Sequence, residues 1–138
     1  MKVIYKDSVE YKVLAIIEQS RSDVLLRSDF AQVGCQTQAA LALRKLVDQG
    51  QLIKLGYGIY AKAKISEFSG QPIIRKNFAL LAKEALDRLG VPWELDVAEA
   101  EYNAGLSTQV PAKLFVKLKH KDRFNRKIAW GNMRLNYA

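Results

Sequence analysis

A chain of 138 residues, 49% of them hydrophobic, is long enough to bury a core and short enough for one domain, or a small domain with an appendage. Its 22 Lys and Arg against 14 Asp and Glu leave a net charge of +8, which favours polyanionic partners and says nothing of fold. One cysteine, Cys35, excludes an intrachain disulfide, and no stretch has the apolar length of a signal peptide or a membrane span, so the expectation is a soluble cytoplasmic protein with no membrane partner.

Asp7 with Glu10 fits a capping box, and Val9, Val13, Ile16 and Ile17 recur at helical spacing, predicting a helix over about 8–20. Val24–Leu26 fits a short strand. Ser28 is placed to cap a brief helix over Asp29–Val33, closed by Gly34. Cys35 or Thr37 then opens a helix with Ala39, Ala42, Leu43, Leu46 and Val47 as its apolar stripe, and Gly50 is the left-handed stop. Leu52–Leu55 and Ile59–Lys62 read as strands around Gly56-Tyr57-Gly58, whose glycines supply the positive φ of a tight hairpin.

Residues 63–71 read as a connector. A helix over about 73–89 follows, burying Phe78, Leu81, Ala82, Ala85, Leu86 and Leu89, stopped by Gly90 and barred from continuing by Pro92. Asp96 and Glu99 fit a second capping box, for a short helix to about Asn103 that Gly105 ends. Lys113–Lys119 alternates, with Leu114, Val116 and Leu118 on one side and Lys113, Phe115, Lys117 and Lys119 on the other. Arg126–Trp130 and Met133–Tyr137 read as two more strands. The expected class is α+β: an N-terminal winged helix-turn-helix over 1–62, then a C-terminal domain over 63–138, a helical segment plus a small antiparallel β-sheet with one basic face.

The order helix, short helix, helix, glycine, hairpin in a basic protein carries the winged-helix reading. An α-helix fits the major groove of DNA, where Gln pairs with adenine, Arg or Lys with guanine or phosphate, and apolar groups meet the thymine methyl. The outward face here is Gln36, Thr37, Gln38, Leu41, Arg44, Lys45 and Asp48. In the hairpin, Lys54, Tyr57 and Lys62 are candidates for phosphate contacts, which position a protein without reading sequence. Leu41 has a second reading, packing against the hairpin, and Tyr57 another, folding onto the sheet.

ALALRKLVDQGQLIKLGYGIYAK resembles the N-terminal winged helix of AbiEi-type antitoxins, the transcriptional-regulator half of type IV toxin–antitoxin systems. LSTQVPAK, residues 106–113, resembles a Thr-Gln-Val-Pro segment of a short family related to those antitoxins. The resemblance implies a double-stranded-DNA-binding repressor of its own operon. Its functional partner would be a nucleotidyltransferase-like toxin encoded alongside, countered without a stable complex. It also implies a DNA face of Gln36, Thr37, Gln38, Leu41, Arg44 and Lys45, with Lys54 and Tyr57 in the wing. The chain is short for such an antitoxin, and CQTQ at the helix opening is its own.

The charge excess sits at the ends: +3 over residues 1–62, −2 over 63–110 and +7 over 111–138. In the last segment Lys113, Lys117, Lys119, Lys121 and Arg123, followed by Arg126, Lys127 and Arg134, interleave with Phe115, Phe124, Trp130 and Tyr137. That pattern suits a nucleic-acid surface, and equally a solvated edge sheet protected by lysines; Trp130 reads as core. His120 is the only histidine and Cys35 has no base near it in sequence. Capping explains Asp96 and Glu99, and there is no P-loop, paired metal-ligand spacing or nucleophile elbow. The expectation is no enzyme, no metal and no cofactor. Besides a sequence-specific repressor, two readings stay open: an RNA-binding module using the basic C-terminal sheet, and a winged-helix interaction module docking a partner toxin.

Overall fold

The computed structural model describes residues 9–105, 114–119, 124 and 126–137. Over these the chain is α+β, with four α-helices and two small sheets. The first part runs α1 (Val9–Gln19), β1 (Val24–Leu26), a 3-10 turn (Arg27–Phe30), α2 (Gln36–Asp48), β2 (Leu52–Gly56), β3 (Ile59–Ile65) and β4 (Pro72–Ile74). Then come α3 (Phe78–Arg88), β5 (Trp93–Leu95), α4 (Val97–Asn103), β6 (Leu114–Leu118), β7 (Ala129–Trp130) and β8 (Met133–Tyr137).

β3 is the axis of the first sheet. It is antiparallel to β1, with Leu25 opposite Tyr60, and to β2, with Ile53 opposite Ala61; its far half pairs with β4, Lys64 opposite Ile73. Successive strand residues face opposite ways, and each face of this sheet feeds its own core. Leu25, Leu52 and Tyr60 turn to one side, where Val13 and Ile17 of α1 and Leu43 and Leu46 of α2 cover them, with Phe30 and Val33. Val24, Leu26, Ile53, Ile59 and Ala61 turn to the other. They meet Leu81, Ala82, Ala85 and Leu86 of α3 and Val116, Leu118, Ile128 and Leu135 of the C-terminal part. The first sheet is the shared middle layer of the molecule.

The second sheet has the order β5-β6-β8-β7 and departs from the antiparallel sheet expected. β6 and β8 run parallel, Leu114 opposite Leu135 and Val116 opposite Tyr137. Alternation encodes which face is buried but not strand direction, and a parallel pair needs only a connection of about a dozen residues, which the chain between Leu118 and Met133 provides. β5, unanticipated from sequence, pairs antiparallel with β6, Glu94 opposite Lys117.

Other boundaries move for local reasons. The helix expected over 73–89 starts at Phe78, because Pro72-Ile73-Ile74 extends the first sheet and Asn77 Oδ1 accepts the Ala79 N–H at 2.7 Å as the N-cap. The helix expected over Asp29–Val33 is replaced by the 3-10 turn, in which the Asp29 carboxylate accepts the Leu26 N–H at 2.9 Å. Asp96 opens α4 without a side-chain cap bond, and Glu99 pairs with Lys83 instead. The strand expected over Arg126–Trp130 shrinks to two residues. The glycine stops are as expected. Gly50 (φ 78°) and Gly90 (φ 73°) are left-handed, with Gln51 N–H bonded to the Leu46 carbonyl and Val91 N–H to that of Leu86, both at 2.9 Å. Asp7 of the first capping box and the Thr-Gln-Val-Pro segment lie outside the described residues.

Candidate nucleic-acid interface

The inner stripe of α2, Ala39, Ala42, Leu43 and Leu46, is buried. With 3.6 residues per turn, Thr37, Gln38, Leu41, Arg44, Lys45 and Asp48 are left outward, and all are exposed. Leu41 is 61% exposed, so it does not pack against the hairpin. Arg44 has no hydrogen bond or ion pair among the described residues. Lys45 Nζ lies 3.7 Å from Glu10 Oε2 of α1, a loose surface pair that leaves half of the Lys45 side chain in solvent. At the start of α2, Cys35 is the N-cap but donates no side-chain acceptor, so the first-turn N–H groups keep their affinity for an anion. Gln36 opens α2 through its backbone; its side chain, and residues Lys113, Lys121 and Arg123, lie outside what is described.

Lys54 stands opposite Tyr60, which belongs to the core under α1 and α2. Lys54 therefore projects from the same side of the first sheet as α2, and it is exposed. Tyr57, at the hairpin tip, is 74% exposed and does not fold onto the sheet. Of the two hairpin glycines only Gly58 takes a positive φ, 69°. Lys62 is engaged elsewhere: its ammonium donates to the Ser20 carbonyl at 2.7 Å, fastening β3 to the end of α1. Beneath the hairpin, burial pushes the Tyr60 hydroxyl above its ordinary pKa, opposed by the nearby Arg27 guanidinium.

Three cations at the hairpin escaped the sequence reading of the wing. Arg27 N–H donates to the Gly58 carbonyl at 2.9 Å. The Arg126 guanidinium donates to the Tyr57 carbonyl. The Lys127 carbonyl packs against Gly56 so closely that a Cβ there would overlap it. Close approach, not turn geometry, is what requires glycine at 56. Between hairpin and C-terminal segment lies an open groove of about 590 Å³, bordered by Lys54, Tyr57, Arg126, Lys127 and Trp130. Tyr137 anchors the segment: its hydroxyl donates to the Arg126 carbonyl at 2.6 Å and its ring meets Phe124 edge-on at 5.6 Å. Burial pushes its pKa up to about 12 against the pull of Arg126 and Arg134.

Lys117 and Lys119 are exposed on and just beyond β6. Val116 and Leu118 face the second core, so Lys117 points away from it. The outward face of α2 and Lys117 thus lie on opposite outer surfaces, with both cores and the first sheet between them. Trp130 is half-buried against the second core, as its reading as a core residue anticipated. Among the described residues no group of three or more His, Cys, Asp or Glu could hold a metal ion, and no helix is long and apolar enough to cross a membrane. His120 lies outside the described residues.

Fold and site together define an α+β protein that presents a polar helix face beside a basic hairpin. The chain belongs to a family of unknown function, DUF6088, which matches residues 12–137. No curated protein matches it.

Proposed function

We propose that the chain is a winged helix-turn-helix DNA-binding protein, with α2 as the recognition helix and the β2–β3 hairpin as the wing. One observation carries this reading. The exposed polar face of α2, with Arg44 unpaired among the described residues, and Lys54 of the hairpin project from the same side of one sheet. In this reading Gln38 and Arg44 meet base edges in the major groove, with Gln36 and Thr37 at the helix start. Leu41 meets a thymine methyl, while Lys45, Lys54 and Tyr57 hold phosphates. The resemblance of the α2–hairpin sequence to AbiEi-type antitoxins extends the proposal. The protein is then a cytoplasmic, non-enzymatic repressor of its own promoter. It is also the antitoxin to a nucleotidyltransferase-like toxin encoded beside it.

The test is a gel-shift titration of the full chain on duplex DNA from upstream of its own gene, against a scrambled duplex at physiological salt. The expected result is preference for the upstream duplex, reduced by about 1–3 kcal/mol in Arg44→Ala and in Gln38→Ala. Equal affinity for the scrambled duplex would sink sequence-specific recognition.

A further inference from the structure

We infer that the C-terminal segment completes the hairpin as a composite wing, and that the groove between them grips a DNA sugar–phosphate backbone through Lys54, Arg126 and Lys127. This rests on the reading of α2 as a DNA-binding helix.

Among the described residues the groove is lined by three cations and no carboxylate. Around α3 the pairing is different: Arg75 and Lys76 are held by Asp23, Lys83 by Glu99 and Arg88 by Asp29. Unpaired cations in a concave site focus a positive potential on whatever polyanion approaches. Arg126 is also held in place before any ligand arrives. Its guanidinium donates to the Tyr57 carbonyl, and its own carbonyl receives the Tyr137 hydroxyl. A guanidinium carries five N–H donors, so one bond to the hairpin leaves others for phosphate oxygens, and prior ordering lowers the entropic cost of using them.

The absence of room for a Cβ at Gly56 binds hairpin and segment into one unit. A strand that meets Lys54 and Tyr57 therefore meets Lys127 as well. Trp130, at the edge of the groove, is partly buried against the second core, so part of its ring is already committed to packing. The chemistry is backbone recognition, which adds affinity without adding sequence preference.

The experiment is fluorescence anisotropy of the full chain on a labelled mixed-sequence duplex, between ~50 and ~200 mM salt. Lys127→Gln is compared with Lys64→Gln, which removes the same charge from an exposed position on β3, roughly 20 Å along the strand from the hairpin tip. Lys127→Gln should lower the slope of log affinity against log salt by about 0.9, and Lys54→Gln/Lys127→Gln by about twice that. Lys64→Gln should leave the slope unchanged. Because the Lys127 side chain is exposed and only its carbonyl touches Gly56, its variant should melt like the wild type. A wild-type slope in Lys127→Gln, or an equal fall in Lys64→Gln, overturns the composite wing. If Arg44→Ala then still abolishes preference for the upstream duplex, the role of α2 survives that failure. No binding of any duplex by the wild type overturns both.

Discussion

Helices α2 and α3 are built to one plan and cover opposite faces of one sheet. Each turns a Leu/Ala stripe inward, Ala39, Ala42, Leu43 and Leu46 in one and Leu81, Ala82, Ala85 and Leu86 in the other. Each is closed by a left-handed glycine with the same pattern of backbone bonds. The difference lies on the outside. Around α3 the cations are engaged: Lys76 Nζ is 2.9 Å from Asp23 Oδ2, a bond that pushes its pKa up, and 3.5 Å from Glu84. Lys83 is bonded to Glu99 and lies 5.7 Å from the Trp93 ring, and Arg88 reaches back to Asp29 in the 3-10 turn. On α2, Arg44 has no such partner among the described residues, and the 3.7 Å pair of Lys45 with Glu10 leaves half of that side chain in solvent. Charge that is neutralised locally fastens one element to another; charge left open projects into solvent, where a polyanion can use it. Two similar amphipathic helices are thereby a strut and a candidate binding face.

The strongest challenge to this comparison is a pair of core truncations. Leu43→Ala under α2 and Leu81→Ala under α3 should each cost about 2–5 kcal/mol, since both side chains are fully buried. Trp93 and Trp130 both pack on the α3 side. If the shared sheet couples the cores, urea unfolding of Leu43→Ala followed by tryptophan fluorescence should shift with the circular-dichroism transition. A tryptophan transition left at the wild-type midpoint would show that the two sides unfold independently.

The glycine stops give the next effect. Gly50→Ala and Gly90→Ala both force a left-handed residue, at about 1–2 kcal/mol. A Cβ at Gly50 would also lie 2.8 Å from Pro72 Cγ, whereas nothing lies within 4 Å at Gly90. Gly50→Ala should therefore be worse by about a further 1 kcal/mol, and equal melting temperatures would mean that β4 yields freely at Pro72.

At alkaline pH, substitution of Tyr137 tests the α3 side. In the folded chain burial keeps the Tyr137 proton up to a pKa of about 12, against an ordinary value of 10.0. The unfolded chain therefore loses the proton first, and the contribution to stability, complete below pH 10, is lost as pH rises toward about 12. Tyr137→Phe should flatten that part of the stability profile while leaving neutral-pH folding cooperative; an unchanged profile would place the alkaline loss elsewhere.

The smallest effects separate strut from face. Arg88→Ala should cost at most about 1 kcal/mol of stability, as a surface ion pair does, and leave DNA affinity nearly intact. Arg44→Ala should change stability by less than about 0.5 kcal/mol while losing sequence preference. The opposite pattern would erase the distinction.

Much of α2 was legible from residue order. A 3.6-residue stripe followed by glycine marks both the buried face and the stop, and the exposed set Thr37, Gln38, Leu41, Arg44 and Lys45 follows from it. The alternation at Leu114, Val116 and Leu118 marked a strand in the same way. β4 and β5 were not legible, because three residues are too few to show a period, and alternation could not say that β6 and β8 run parallel. Gly56 was visible as a turn residue, but the carbonyl that excludes a side chain there belongs to Lys127.

By itself, the sequence determined which way the apolar stripes of α2 and α3 face and where both helices stop, since those properties depend on neighbours a few positions apart. Only the tertiary structure decided which cations among the described residues are engaged and which stay open. The reason is distance along the chain: Arg88 finds Asp29 across 59 positions and Arg126 finds the Tyr57 carbonyl across 69. No local pattern records such partners.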